Sequence, residues 1–281
     1  MKIAFNEATT LKNSTLKKDL ELCEKHGYDL IEIRLDKLKE YLVENTVEDL
    51  KSFFQNNRIK PFAFNALEFI NFRDDAGYQQ IKGDLKFLGG IGEIIDCKKI
   101  IVVPTFDVGD YTQSQIKDET IKVLDELAEL AASYNVKLAL EFVGYPNCSV
   151  NTFGQAYEIV TEVNKDNVGI VLDCFHFHAM GSKLEDLKNA DPNKIFVFHI
   201  DDCEDLPVGA LRDHHRVWPG EGAINLDSIL KTLKEIGYDE MVSVELFRPE
   251  FWEWDAERTI KVGKETTEKA VENYFNVKVK S

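Results

Sequence analysis

Residues 168–178 read V-G-I-V-L-D-C-F-H-F-H. The aliphatic side chains Val168, Ile170, Val171 and Leu172 form a run typical of a buried parallel strand, and the run stops at Asp173. A carboxylate in that position is costly unless something compensates its charge. Two partners suit it: the free N–H groups of a following helix, which an aspartate caps, or a cation. His176 and His178 follow within five residues, and imidazole is a common metal ligand. The stretch alone does not choose between cap and cation.

The same pattern recurs along the chain. Upstream, V-K-L-A-L (136–140) ends at Glu141. Downstream, I-F-V-F (195–198) ends at His199 and M-V-S-V (241–244) at Glu245. Earlier apolar runs lie at 2–5, 30–33, 61–64 and 99–103. Helical spacing of apolar residues separates the runs over 15–26, 46–57, 118–134, 152–163, 184–189, 227–236 and 256–274. A further helix over 78–96 is weakened by Gly83, Gly89, Gly90 and Gly92, each by about 1 kcal/mol against alanine. A polar loop occupies 201–222.

Strand and helix thus alternate eight times with no Pro/Gly/Ser linker, and K-H-G-Y-D-L-I-E-I (25–33) is echoed by E-I-G-Y-D-E-M-V-S-V (235–244). This predicts an α/β fold, a closed (β/α)8 TIM barrel forming one domain over 1–281. A doubly wound sheet is disfavoured because the first βα turn lacks G-x-G-x-x-G.

With 281 residues, 44% of them hydrophobic, the chain can bury a large core without staples. Its 50 acidic residues against 34 basic ones give a net charge of −16, which argues against nucleic acid as the main partner. The five scattered cysteines (Cys23, Cys97, Cys148, Cys174, Cys203) contain no C-x-x-C pair and read as free thiols in a reducing compartment. The N-terminus turns polar too soon for a signal peptide, and no stretch approaches the roughly 20 apolar residues of a membrane span. A cytoplasmic protein without a membrane partner is expected; self-association is left open.

In a barrel of this type the active site lies at the C-terminal ends of the strands. Glu141, Asp173, His199 and Glu245 end four successive strands, so their side chains can meet at the barrel mouth. Three carboxylates together repel unless a cation holds them, and three carboxylates with one imidazole suit one divalent ion: manganese, magnesium, cobalt or zinc. Singly, each has an ordinary structural explanation, such as an ion pair of either glutamate with Arg34 or Arg248. His176 can reach the same pocket, either to substrate or to metal. Arg216 and Trp218 lie in the turn-rich R-V-W-P-G-E-G (216–222), with Trp218 a candidate pocket wall. Asn6, Glu7, Arg34, Asn65 and Glu68 project near the first three strand ends, giving a rim suited to a small polyhydroxylated substrate.

These motifs resemble those of the xylose-isomerase-like barrels, which include ketose epimerases, hydroxypyruvate isomerase and endonuclease IV relatives. The similarity is strongest to the inosose isomerase branch, in F-N-E-A-T-T (5–10), A-L-E-F-V-G (139–144), L-D-C-F-H-F-H-A-M-G-S (172–182), R-V-W-P-G-E-G-A-I (216–224) and V-S-V-E-L-F-R-P-E (242–250). The resemblance implies a metal held by Glu141, Asp173, His199 and Glu245, with His176 and Arg216 near the substrate. It implies a proton shift between adjacent carbons of a cyclic hydroxyketone through an enediol, of the 2-keto-myo-inositol to 1-keto-D-chiro-inositol type, in inositol catabolism. Glu141 and Glu245 are the acid/base candidates. Ketohexose epimerases carry a glutamate six residues beyond the first ligand where this chain has Asn147, which disfavours that activity. An inosose dehydratase or another sugar isomerase of the same fold is the alternative. An endonuclease-IV-like repair enzyme is a more distant one, since it needs more histidine ligands and a basic groove.

Overall fold

The computed structural model describes residues 1–277. Eight parallel strands close into a barrel: β1 Lys2–Asn6, β2 Leu30–Arg34, β3 Lys60–Leu67, β4 Lys99–Val102, β5 Lys137–Glu141, β6 Val168–Asp173, β7 Ile195–Ile200 and β8 Met241–Val244. Closure is made by β1 and β8, paired from Lys2↔Met241 to Phe5↔Val244. Because side chains alternate along each strand, two apolar layers result. Ala4, Leu30, Ala63, Ile101, Ala139, Val171, Val197 and Met241 belong to a cluster that fills the barrel interior. The larger cluster, including Ile3, Phe5, Ile31, Ile33, Leu138, Leu140 and Ile170, packs the outer strand faces against the helices.

Most expected elements are present with boundaries moved by a few residues. The helix expected over 118–134 begins earlier, as Gln113–Ala132, capped reciprocally by Thr112 and Gln115. The glycine-rich helix forms in full as Asp75–Ile95, with Asp96 in the left-handed region at its end. Two of its glycines are there for contact. A Cβ on Gly89 would lie 2.6 Å from the Tyr134 ring, and one on Gly92 2.4 Å from the Cys97 carbonyl oxygen.

Several elements were not anticipated, three of them close to the site. Leu35–Glu44 is a helix that follows β2 without a break. Cys174–Ala179 is a short helix directly after β6. Within the loop expected over 201–222, Asp202–Cys203 and Arg216–Val217 pair antiparallel and fold the loop back over the barrel mouth. Gly222 lets this happen, since a Cβ there would meet the Cys203 carbonyl oxygen at 2.2 Å. All five cysteines are buried free thiols. No helix among the described residues is long and apolar enough to cross a membrane.

Candidate metal centre at the barrel mouth

Register explains why the four strand-end residues meet. Asp173 on β6 pairs directly with His199 on β7, and His199 with Ser243 on β8, two residues before Glu245. Glu141 closes β5 beside β6. One ligand atom from each of Glu141, Asp173, His199 and Glu245 lies within 4.8 Å of the others, and all four residues are buried. His199 Nδ1 is 3.1 Å from Glu141 Oε1, 3.2 Å from Glu245 Oε2 and 3.6 Å from Asp173 Oδ2. Hard carboxylate oxygens and one imidazole nitrogen converging in a buried site are a fitting donor set for a divalent cation.

Asp173 turns out to be both cap and cluster member. Its Oδ1 accepts from the His176 N–H at 2.6 Å, starting the short helix, while Oδ2 faces Arg216 at 2.8 Å. Glu245 is held differently: Asn6 and Asn65 both donate to its Oε1, at 2.8 and 3.0 Å, leaving Oε2 toward His199. The ion pairs considered from sequence do not form. Arg34 engages Asp36, and Arg248 engages Glu204 and Glu250.

The electrostatics divide these groups. Burial, aided by Glu245, pushes the Glu141 carboxyl up to about 8. Burial would also raise Asp173, but Arg216 and His176 outweigh it and hold that carboxyl well below its ordinary value. In Glu245 the effect of burial is likewise overcome, chiefly by His199, and its carboxyl is lowered. His199 is raised, burial being outweighed by Glu245 and Glu32. His176 is lowered, mainly by burial.

A cavity of about 200 Å³ opens over the cluster. Glu141, Glu245, His176, Asn65, Arg34 and Glu68 line its polar side, and Phe69, Phe106 and Phe247 are among its apolar walls. The remaining expected contacts lie elsewhere. Asn6 is fully buried beneath Glu245. Arg216 stands behind the wall, its guanidinium among Asp173, Asp201, Asp213 and His176. Trp218 is a correction: it is 2% exposed and stacked on Phe251 at 4.6 Å between ring centroids, so it walls the core and not the pocket. Asn147, at the position of the missing glutamate, donates to Asp107 on an exposed loop.

Sequence reasoning missed Glu32, Asp201, Asp213 and Tyr145. Glu32 Oε2 lies 3.1 Å from His199 Nε2. Tyr145 accepts from the Asp213 N–H at 2.8 Å and packs edge-on to His176. Glu32 carried a signal, a lone charge inside the apolar L-I-E-I. For Asp201 and Tyr145, in loops, and Asp213, opening a single 3-10 turn, there was none.

A family model described as xylose isomerase-like TIM barrel matches residues 20–270. The chain is 55% identical to the inosose isomerase of Halalkalibacterium halodurans over 278 residues, 99% of each chain. It is 55% identical to that of Bacillus subtilis, over 99% of this chain and 100% of the other. A crystal structure of the IOLI protein with a binding zinc atom superposes with a TM-score of 0.97 at 55% identity, covering 99% of this chain and 100% of that one.

Proposed function

Since the chain belongs to the xylose isomerase-like TIM-barrel family, we propose that it is a divalent-metal-dependent isomerase of inososes, acting in inositol catabolism. The observation that carries this reading is the convergence of Glu141, Asp173, His199 and Glu245 beneath the cavity, in a chain 55% identical along its length to inosose isomerases. Those four residues would hold the ion, with zinc the candidate the IOLI neighbour suggests. When bound, the ion would polarise the substrate carbonyl and acidify the neighbouring C–H.

The protein's own groups do the rest. Glu141 and Glu245 both face the cavity and are the residues to take a proton from one carbon and return it to the next. Asn6 and Asn65 fix the orientation of the Glu245 carboxylate. His176, wedged between Arg216 and Tyr145, lines the cavity and offers its ring edge to a hydroxyl. The mixed lining suits a carbocyclic polyhydroxyketone, with hydroxyls on the polar side and C–H faces on Phe69, Phe106 and Phe247. One domain over 1–281, a cytoplasmic location and a small-molecule substrate, with no nucleic acid, complete the proposal.

Incubation of scyllo-inosose with the metal-loaded protein in D₂O, followed by NMR, tests it. Deuterium entering at the α-carbon together with an isomeric inosose supports the reading, and an alkene or diketone signal identifies a dehydratase instead. Glu245→Gln is expected to abolish isomerisation; near-wild-type turnover by that variant would remove Glu245 from the acid/base role.

A further inference from the structure

Glu32 sits in the middle of β2, fully buried, three strands away from His199. β1 and β8 lie between them in the closed barrel, so the contact crosses the interior. On the way across, Glu32 pairs with Asn6 on β1, whose amide turns to Glu245, while on β8 the small Ser243 pairs with His199. On the other side Glu32 pairs with Ala63. Glu32 and His199, both fully buried, meet in a carboxylate–imidazole contact of 3.1 Å. Glu32 Oε1 has no hydrogen-bond partner, so the imidazole is the group this buried charge is directed at. A lone carboxylate here would be costly, and nothing in the cavity lining needs it.

The two nitrogens of His199 have opposite surroundings. Nδ1 faces Glu141, Asp173 and Glu245, and Nε2 faces Glu32. A ligating imidazole nitrogen must present its lone pair, so the ring proton must reside on the other nitrogen, and an acceptor there fixes both tautomer and orientation. We propose that Glu32 is a positioning residue of the metal centre: it accepts the Nε2–H of His199 and thereby turns a bare Nδ1 toward the cation site. This rests on the cation-site reading given above. Glu32 touches neither substrate nor ion and acts only through His199.

Zinc alone, titrated against a competing chelator, gives the dissociation constants of the wild type, Glu32→Leu and Glu32→Gln, with circular dichroism to verify folding. Nitrogen-15 spectra of the zinc-loaded wild type report which imidazole nitrogen carries the proton. The expected results are a proton on Nε2 of His199, zinc binding weakened about 10–100-fold in Glu32→Leu, and a loss within about tenfold in Glu32→Gln, whose amide oxygen still accepts. Unchanged zinc affinity in folded Glu32→Leu, or a proton on Nδ1 in the wild type, would overturn the proposal. The spectrum of the wild type needs no variant, so it decides even if Glu32→Leu does not fold. Failure of the wild type to bind zinc would instead overturn the cation site, and this proposal with it.

Discussion

Arg216 is the largest fully buried side chain among the described residues. Its guanidinium reaches Asp173 at 2.8 Å and Asp213 at 3.1 Å, contacts Asp201, and lies over the Phe175 ring at 4.6 Å. Burial is costly for Arg216, Asp173 and Asp201, and what offsets the cost is their mutual attraction in fixed, multidentate geometry. Removing Arg216 takes from the buried Asp173 and Asp201 the cation they share. Arg216→Met is therefore expected to lower the free energy of unfolding by about 3–5 kcal/mol, read from urea denaturation. Arg216→Lys should recover only part of this, because an ammonium is a point charge that cannot serve several partners in a planar fork. Equal stability of Arg216→Lys and the wild type would contradict that account.

At the level of elements, Asp75–Ile95 separates intrinsic propensity from contact. By propensity alone every glycine in it should gain about 1 kcal/mol on replacement by alanine. Gly83 and Gly90 have nothing within 4 Å of a built Cβ, so Gly83→Ala and Gly90→Ala are expected to stabilise by about 0.5–1 kcal/mol. Gly89 and Gly92 lie against Tyr134 and Cys97, so Gly89→Ala and Gly92→Ala should destabilise by about 1–3 kcal/mol. Thermal melts of the four variants check the opposite signs. The unanticipated helix Leu35–Glu44 has a similar tertiary role. It delivers Lys37, 4% exposed, to Asp19 at 2.7 Å and to the Thr10 carbonyl at 3.0 Å. That buried knot anchors the turn after β1, which Asn6 caps from the strand end while it reaches Glu245.

Across the whole molecule, the buried acids make stability depend on pH and on metal. Without a metal ion, the folded protein keeps Glu141 protonated up to about 8, against an ordinary value of 4.5. Between those values the folded state binds more protons than the unfolded one, so stability falls as pH rises. Glu7 and Asp201, both raised by burial, act in the same direction, as does His199 above its ordinary 6.5. Asp173 and Glu245 are depressed, and their contribution is lost only at more acidic pH. Chelator-treated protein is thus expected to melt at progressively lower temperature from pH 5 to pH 8. A divalent ion displaces the Glu141 proton, so adding zinc at pH 8 should raise the melting temperature and flatten the part of the slope due to Glu141 and His199. At about 100 times the dissociation constant the gain is about 2.7 kcal/mol. A melting temperature indifferent to both pH and zinc would contradict the assignment.

The barrel was legible in the sequence because hydrophobic periodicity is local: each buried parallel strand is a short apolar run, and all but the fourth, closed by Pro104, end at a polar residue. The same locality made Glu141, Asp173, His199 and Glu245 readable, since the end of a barrel strand is a fixed address at the active face. Leu35–Glu44 escaped because no breaker separates it from β2. Glu32, Asp201 and Asp213 could not be placed, because what each touches depends on strand register across the barrel and on how the 201–222 loop folds back. Trp218 marks the same boundary, since an aromatic ring fits a pocket and a core equally well until the Phe251 ring is seen stacked on it. At Asp173, cap and cation were alternatives in the sequence. The tertiary structure makes them compatible, because a carboxylate has two oxygens and the fold points one at the His176 N–H and the other toward His199 in the candidate cation site.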